Sequence, residues 1–500
     1  MVIAILTFVT VFTIAVVVLW SLFGAGTFDI RRRFQAVRKA GGDWPRTTRV
    51  LPWAIAGFIT VLWLAPFSQI ELDVPAPIDL KLDRLLLPGL VGAWLLALAS
   101  GRRFGPSLNW TRIHVAAAVF LACAFLSVVL NARELTSTLE FDLPVKQLPL
   151  IVSYMSLFAI VATGVRPAEV RPFMIYSLIL AVLCAFGVIW EYRFVRNLFV
   201  EWSDMILPGP FVVGAADAAA VDGLGRRMVR GPADVSLETV TMLAMALPVA
   251  LVGLLGSSRW RSRLLYGIAA CALVAAMFAT FRKSALLAPV SVFATIAYFR
   301  RSELLKLAPL GLLLLVVVSV LSPGALGSTI AQFTRSDASS VPTVSDRVAD
   351  YDAVRPDFLT HFLFGRGWGG YSHFDYRILD SEILHRTMEM GVVGLLAFVA
   401  IPVTVVLSAR RLIADRRSPL SAPALIGAAG AVALLVASTL YDVLSFPHGA
   451  YIFLYMAGLT AVVVSAGRRE RGAVAVVGDD EQQIPAERSE SSARQLVSSH

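Results

Sequence analysis

Charged side chains interrupt the apolar runs of this sequence at three places where they could bind an anion. In the clearest of these, Arg282 and Lys283 follow Phe281 between two apolar runs that leave almost no loop. An arginine fork binds phosphate through two hydrogen bonds, and hydrogen bonds to charged groups contribute roughly 1.5–3 kcal/mol each. We interpret the pair as a candidate phosphate clamp. The alternative is a tight turn whose cations extend to the lipid headgroups.

A second charged group lies around the start of an apolar run further upstream. Arg230 and Gly231 close a polar segment that also contains Arg226 and Arg227, and Glu238 follows at the beginning of the run. Arg230 and Glu238 are therefore candidate substrate-binding residues. A solvated charged loop, in which Glu238 pairs with one of the arginines, would give the same pattern.

The third group occupies a long polar segment that is rich in glycine and aromatic residues. Glycine lets the backbone turn sharply or approach a ligand closely, and aromatic faces can stack on sugar rings. A glycine-rich nucleotide loop would have to follow a β-strand, and no strand pattern precedes these glycines. The candidate residues are Arg347, Asp350, Tyr351, Gly365, Gly367, Trp368, Tyr371, Asp380 and Ser381.

Helical periodicity relates Asp380 to two glycines further along the chain. At about 100° per residue, Gly391 and Gly394 lie within about 40° of Asp380, so the three would share one helix face. Small residues allow a helix to pack closely on its neighbour. We therefore expect Asp380 to point into the bundle at the membrane surface. Glu389 falls on the opposite side, inside the apolar run, and is predicted to be a packing or pairing residue.

Composition identifies lipid as the natural solvent of the elements that position these residues. The 500 residues are 57% hydrophobic and 16% charged, whereas an ordinary soluble domain carries about 25% charge. At roughly 20 residues per crossing, we predict an all-α, polytopic transmembrane helix bundle with about 13 spans (12–14). The three cysteines lie in apolar runs without CxxC spacing, so neither a disulfide framework nor a metal site is predicted. The predicted spans lie near 3–24, 50–68, 84–101, 113–130, 148–165, 173–192, 236–256, 264–280, 285–299, 307–325, 382–408, 420–440 and 450–466.

Basic residues set the predicted orientation. Clusters of Lys and Arg occur in every second connection, which the positive-inside rule places in the cytoplasm. The N-terminus is then outside, as a retained span, and the long loops at about 193–235 and 326–381 are extracytoplasmic. Residues 1–471 form the transmembrane domain, and the polar tail 472–500 is predicted to be a disordered cytoplasmic segment. Because the net charge of +9 comes from these short loops, nucleic-acid binding is excluded.

Taken in order, the three charged groups resemble the O-antigen ligase and polymerase family of bacterial surface-polysaccharide enzymes. The resemblance covers roughly 225–400, and the number of spans and the long outer loop are also similar to that family. Its motifs are Arg230-Gly231 with Glu238 and 243–248, Arg282 with Ala285-Leu286-Leu287, Arg347 with Asp350-Tyr351, Gly365-Arg366-Gly367 with Tyr371, and Asp380-Ser381 with Leu384 and 391–394.

The resemblance implies a metal-independent glycosyltransferase without a cofactor in the bacterial cytoplasmic membrane. A glycan on undecaprenyl pyrophosphate would move to an acceptor glycan or lipid on the outer face. Arg282 and Arg347 would hold the pyrophosphate, and Asp380, standing where ligases of the family have His, would activate the acceptor. His361, His373 and His385 are rival bases. The choice between polymerase and ligase stays open, as do a transporter or flippase for lipid-linked oligosaccharide and a non-catalytic subunit of an export system.

Overall fold

The chain is almost entirely helical in the part that its structure, a computed structural model, describes. That part comprises residues 50–72, 81–100, 110–137, 140, 142–207, 209–213, 229–280, 287–303, 342–371, 376, 379 and 381–482, without the side chains of 50, 100, 142, 146, 342–350 and 472–482. The helices are α1 (Val50–Leu64), α2 (Leu82–Ser100), α3 (Arg112–Ser137), α4 (Asp142–Gly164), α5 (Pro167–Phe194), α6 (Leu198–Ile206), α7 (Ser236–Gly256), α8 (Trp260–Ala279), α9 (Leu287–Phe299), α10 (Pro342–Thr360), α11 (Glu382–Ala414), α12 (Ser421–Ala437) and α13 (Pro447–Gln482).

Eight of these helices are long and apolar enough to cross a membrane, namely α2, α3, α4, α5, α7, α8, α11 and α13. Helices α1, α9 and α12 are also apolar but shorter. The prediction of a helical membrane protein is thus confirmed, while the number of spans stays a prediction. The predicted spans near 3–24 and 307–325 lie outside the described residues, and each of the other predicted runs falls on a described helix.

The two segments predicted as long loops contain regular structure that the hydropathy pattern did not indicate. Helix α6 and strand β2 (Phe211–Val213) lie within the first segment, and helix α10 lies within the second. Strand β2 pairs antiparallel with β1 (Ile70–Leu72), which follows α1, so that Ile70 faces Val213. This short pair ties the segment after α6 back to the end of α1.

Helix α13 forms the centre of the bundle. In its apolar window 94% of the residues are buried, compared with 22% for α2. Glycines permit close approach there: a Cβ on Gly427 of α12 would lie 1.9 Å from Oγ1 of Thr460, and one on Gly458 would lie 2.9 Å from Val161 of α4. Helices in lipid depend on such close packing, because lipid tails are as apolar as the helix surfaces.

Contacts between helix termini show which termini lie together at each end of the bundle. At one end, Arg300 after α9 donates to Ser421 Oγ at the start of α12 (2.8 Å), and Arg468 of α13 donates to the Trp110 carbonyl before α3 (3.4 Å). The opposite end contains the N-termini of α2, α4, α7, α11 and α13 with the C-termini of α1, α3, α5 and α12. We call this opposite end, which includes Ser381, Glu382 and the connector 438–446, the polar end.

Candidate functional site

Helix α11 is broken at Gly391, and the break lies at the polar end. Gly391 has φ of 65° and ψ of −166°, which separates a half-helix, 382–390, from the rest of α11. Backbone groups freed by a break must find other partners inside a membrane protein. Segment 361–367 supplies them through Arg366 N to Met388 O (3.0 Å), Gly367 N to Glu389 O (2.8 Å), Val392 N to Phe362 O (3.0 Å) and Val393 N to Leu363 O (3.3 Å).

Two glycines make this docking possible. A Cβ on Gly365 would lie 2.3 Å from the carbonyl carbon of Glu389, and one on Gly391 would lie 2.3 Å from that of Leu363. Both glycines also have positive φ, near 65°. The expected continuous helix face from Asp380 to Gly391 and Gly394 is therefore wrong, because the helix begins at Glu382 and changes direction at Gly391.

The start of the half-helix is joined to the end of α12. The amides of Glu382 and Ile383 donate to the carbonyls of Tyr441 (3.1 Å) and Ser438 (3.4 Å), and Ser381 Oγ also donates to the Ser438 carbonyl (3.4 Å). The first amides of one helix thus satisfy the last carbonyls at the end of another, with opposite ends of the two helix dipoles in contact. Ser381, a predicted substrate-binding residue, is buried in this junction.

A buried ion cluster fixes the half-helix from the side, with Arg386 at its centre. Its guanidinium lies 2.7 Å from Glu382, 2.6 Å from Glu389 and 3.7 Å from Asp442. The Arg386 Cζ also lies 4.2 Å from the centre of the Trp368 ring. Because Arg386, Glu382 and Glu389 are fully buried, each charge depends on these partners. Glu389 is therefore a pairing residue, as predicted.

His385 is held between two carboxylates of the same cluster. Its Nδ1 contacts Asp442, and its Nε2 lies 3.1 Å from Glu389. Two carboxylates this close to the ring favour the protonated form of imidazole. Burial alone would raise the pKa of Asp442, but His385 and Arg386 outweigh it and hold that pKa well below its usual value. Asp442 thus occupies Nδ1 of His385, whereas Nε2 has no hydrogen-bond partner within the described residues.

The cluster contains three carboxylates but only two cations, Arg386 and His385. The connector 438–446 supplies neutral hydrogen-bond donors to the excess carboxylate oxygens. The Leu444 amide donates to Glu382 (2.9 Å), and the Ser445 hydroxyl donates to Asp442. Within the described residues, no group of three or more His, Cys, Asp or Glu side chains is arranged to hold a metal ion. The cluster can therefore fix the half-helix against α12 and the connector through ion pairs.

Glu238, predicted to bind substrate, instead binds the backbone of the chain. Its carboxylate is fully buried and accepts hydrogen bonds from the amides of His448 (2.7 Å), Gly449 (3.3 Å) and Asp234 (3.0 Å). A carboxylate at the first amides of α13 is favourable because the helix dipole is positive there. Glu238 thus joins α7 to α13 in the described structure.

Arg230, the other candidate of this group, is half-buried and has an open side-chain donor. Its amide and that of Gly231 donate to the carboxylate of Glu191 (3.1 and 2.7 Å), and its carbonyl accepts from Thr239. The Nε atom is buried and has no hydrogen-bond partner among the described residues. The Arg230 side chain interacts electrostatically with Glu191, and its Nε without a hydrogen-bond partner favours an additional anion.

The aromatic residues predicted to stack on sugars are mostly enclosed by protein. Trp368 is 3% exposed, its ring contacts Arg386, and its amide donates to Ser127 Oγ (3.1 Å). Tyr371 is also buried and stacks on Tyr376, with ring centres 4.9 Å apart. Of the predicted aromatic residues, only Tyr351 on α10 is largely exposed in the described structure. Trp368 therefore supports Arg386 and has no open face for a sugar.

A second, more exposed ionic group surrounds the glycine segment at the polar end. Arg366 lies 3.4 Å from Asp357 and 3.7 Å from Glu134, and its Cζ lies 4.5 Å from the centre of the Tyr376 ring. His361 contacts the same two carboxylates, at 3.4 and 3.2 Å. Both nitrogens of this rival base are thus engaged. The group connects α10 to the end of α3.

Sequence reasoning missed two members of the buried cluster. Arg386 and Asp442 were not singled out, although Glu382, Arg386 and Glu389 follow one another at spacings of four and three within a helix, which brings unlike charges together. Several predicted residues fall outside what the structure describes. These are Arg282, Lys283, His373 and Asp380, together with the side chains of Arg347 and Asp350.

Comparison with models of known protein families and comparison with curated proteins both give no match for this chain.

Proposed function

We propose that the chain is a membrane glycosyltransferase of the O-antigen ligase and polymerase type. It would move a glycan from an undecaprenyl-pyrophosphate-linked donor to an acceptor on the outer face of the bacterial cytoplasmic membrane. The observation that carries the proposal is the buried Arg230 Nε without a described partner. It lies at the same end of the bundle as the glycine segment 361–371 and Ser381. The proposal includes the thirteen spans and an extracytoplasmic polar end.

In this proposal the arginines act on the leaving group. As the bond between the sugar C1 and the phosphate oxygen breaks, negative charge grows on the pyrophosphate. Arg282 and Arg347, with Arg230 as a third cation, would offset that charge in the transition state. Asp380 would orient the acceptor hydroxyl and accept its proton in concert with attack on C1. His361 is less suitable for that step, because both of its nitrogens have hydrogen-bond partners, and Nδ1 of His385 is occupied by Asp442.

A transporter for lipid-linked oligosaccharides is the second candidate, and the break at Gly391 favours it. Transporters bind substrates and ions at discontinuous helices, where unwound backbone groups are free to coordinate them. Here, however, segment 361–367 already occupies the amides and carbonyls around the break. The backbone that a transported ion would use is therefore bonded to the chain itself, and we prefer the transferase.

The test is transfer by the purified protein in liposomes supplied with a polyprenyl-pyrophosphate-linked glycan and an acceptor. We expect the wild-type protein to form a new glycosidic linkage and Arg282→Ala to lose transfer while inserting normally. The control is Arg261→Ala, which removes an arginine at the opposite end of the bundle and should leave transfer unchanged. Movement of intact donor across the bilayer without a new linkage would favour the transporter, and full transfer by Arg282→Ala would contradict the proposed clamp.

A further inference from the structure

Helix α6 is short and strongly amphipathic. At about 100° per residue, five of its six apolar residues fall within an arc of about 120°, and its polar residues lie with Val200 on the remaining side. The apolar arc contains Leu198, Phe199, Trp202, Met205 and Ile206, and the polar side contains Glu201, Ser203 and Asp204. A nine-residue helix is too short to cross a bilayer, so its apolar arc must find another apolar environment.

Part of that arc packs on α5 and fixes the position of the helix. Val195 ends α5 with φ of 61°, and Asn197 caps α6 by accepting from the amides of Phe199 (3.0 Å) and Val200 (3.3 Å). Phe199 fills the space above Gly187, where a Cβ would lie 2.2 Å from the ring. The Asn197 side-chain amide also donates to the Gly231 carbonyl (2.7 Å). The helix is therefore held firmly against the bundle.

Two residues of the arc at the end of α6 are exposed, and α5, the preceding helix, also has an exposed apolar stripe. Ile206 is 74% exposed and Met205 is 55% exposed. On α5, Phe186, Trp190 and Phe194 are exposed at a spacing of four residues, so they lie on one helix face, and the last two rings are 4.1 Å apart. Because α5 is long and apolar enough to span the membrane, its exposed stripe faces lipid.

We propose that α6 lies in the membrane interface at the polar end, with Met205 and Ile206 inserted among the acyl chains of that leaflet. The partner is the lipid bilayer, since α6 directly follows α5, a helix long and apolar enough to span the membrane with an exposed apolar stripe. Tryptophan is enriched at this depth of a membrane, and Trp190 and Trp202 lie there. The exposed ion pair of Arg196 with Glu201 (2.8 Å) is on the polar side, toward headgroups and water.

The interfacial position of α6 does not depend on the proposed function, but one consequence of that position does. Asn197 ties α6 to Gly231, the neighbour of Arg230. A lipid whose headgroup lies at α6 would therefore be next to Arg230, whose Nε has no described hydrogen-bond partner. A lipid-linked pyrophosphate would reach Arg230 along this leaflet rather than from the water.

The test measures the depth of α6 directly and does not depend on activity. In the full chain with Cys123, Cys184 and Cys271 replaced by alanine, Ile206→Cys is labelled with an environment-sensitive fluorophore and reconstituted in vesicles of phosphatidylcholine and phosphatidylglycerol. We expect strong quenching by nitroxide-labelled lipids and weak quenching by aqueous iodide. The matched control is Asp204→Cys on the polar side, for which the two quenchers should show the opposite order.

Two outcomes would overturn the inference. Iodide quenching at residue 206 as strong as at residue 204 would place α6 in water. Equal lipid quenching at both positions would place the whole helix within the hydrocarbon. If Ile206→Cys does not yield folded protein, Met205→Cys in the same arc gives the same comparison.

Discussion

At the scale of single residues, Arg386 is the group on which the polar end depends most. Three carboxylates and one imidazole surround it, and removing its charge would leave Glu382, Glu389 and Asp442 facing only His385. Breaking a buried ion pair from one side typically costs about 3–5 kcal/mol. Removing one carboxylate has a different effect, since it leaves two cations with two carboxylates.

We therefore predict that Arg386→Met destabilises the protein by about 3–5 kcal/mol, whereas Glu389→Gln costs much less. Glutamine keeps the shape of the side chain and corrects the excess of negative charge. Thermal denaturation of the purified proteins in the same detergent measures both changes. Equal losses in the two variants would show that packing around α11, and not the balance of charge, sets the stability of the cluster.

The sequence allowed part of this cluster to be predicted. Glu389 is an acidic residue inside an apolar run, and packing or pairing is the expected reason for retaining it. Its partners His385 and Arg386 are near in sequence and could have been inferred from helical spacing. Asp442, however, is more than fifty residues away and reaches the cluster because α11 and α12 are antiparallel. No local pattern contains that information.

At the scale of elements, the break in α11 shows what periodicity cannot detect. The apolar run around Gly391 is continuous, so the sequence correctly predicts a membrane helix but also predicts that the helix is unbroken. The break is stable because amides and carbonyls of segment 361–367 replace the missing helical hydrogen bonds. Those partners are distant in sequence and are fixed by tertiary contacts.

Substitution of the two docking glycines should separate the half-helix from this segment. In Gly391→Ala and Gly365→Ala, the new Cβ would lie 2.3 Å from backbone carbon atoms that cannot move independently. These positive-φ backbone conformations cost about 1–3 kcal/mol for a residue other than glycine, and overpacking adds typically 1–3 kcal/mol. We predict that each change lowers the thermal midpoint of the purified protein by several degrees.

The matched control is Gly92→Ala in α2, where a Cβ meets nothing within 4 Å. It should leave the midpoint unchanged or raise it, because alanine favours helix more than glycine does. A midpoint for Gly391→Ala equal to that of Gly92→Ala would mean that the break is not docked as described.

At the scale of the whole molecule, the described helices alternate as the charge pattern predicts. The basic residues between α7 and α8 and in the first turn of α8 lie at the end opposite to the buried cluster, namely Arg259, Arg261 and Arg263. Glu71 in β1 lies at the polar end, where β1 pairs with the strand after α6. Hydropathy and charge together therefore predict which connections share an end. They do not predict how the polar end is built, because its contacts join segments far apart in sequence.

The last prediction concerns which end faces out of the cell. In the full chain with the native cysteines replaced by alanine, Glu71→Cys should react with a membrane-impermeant maleimide added to intact spheroplasts, because its side chain is 55% exposed at the polar end. Arg261→Cys should react only after the membrane is permeabilised, since arginine-rich connections are retained in the cytoplasm. Reaction of both from the same side would contradict the alternation of helices. The reverse order would preserve the bundle but place Arg230 and Ser381 in the cytoplasm, and transfer on the outer face would then be wrong.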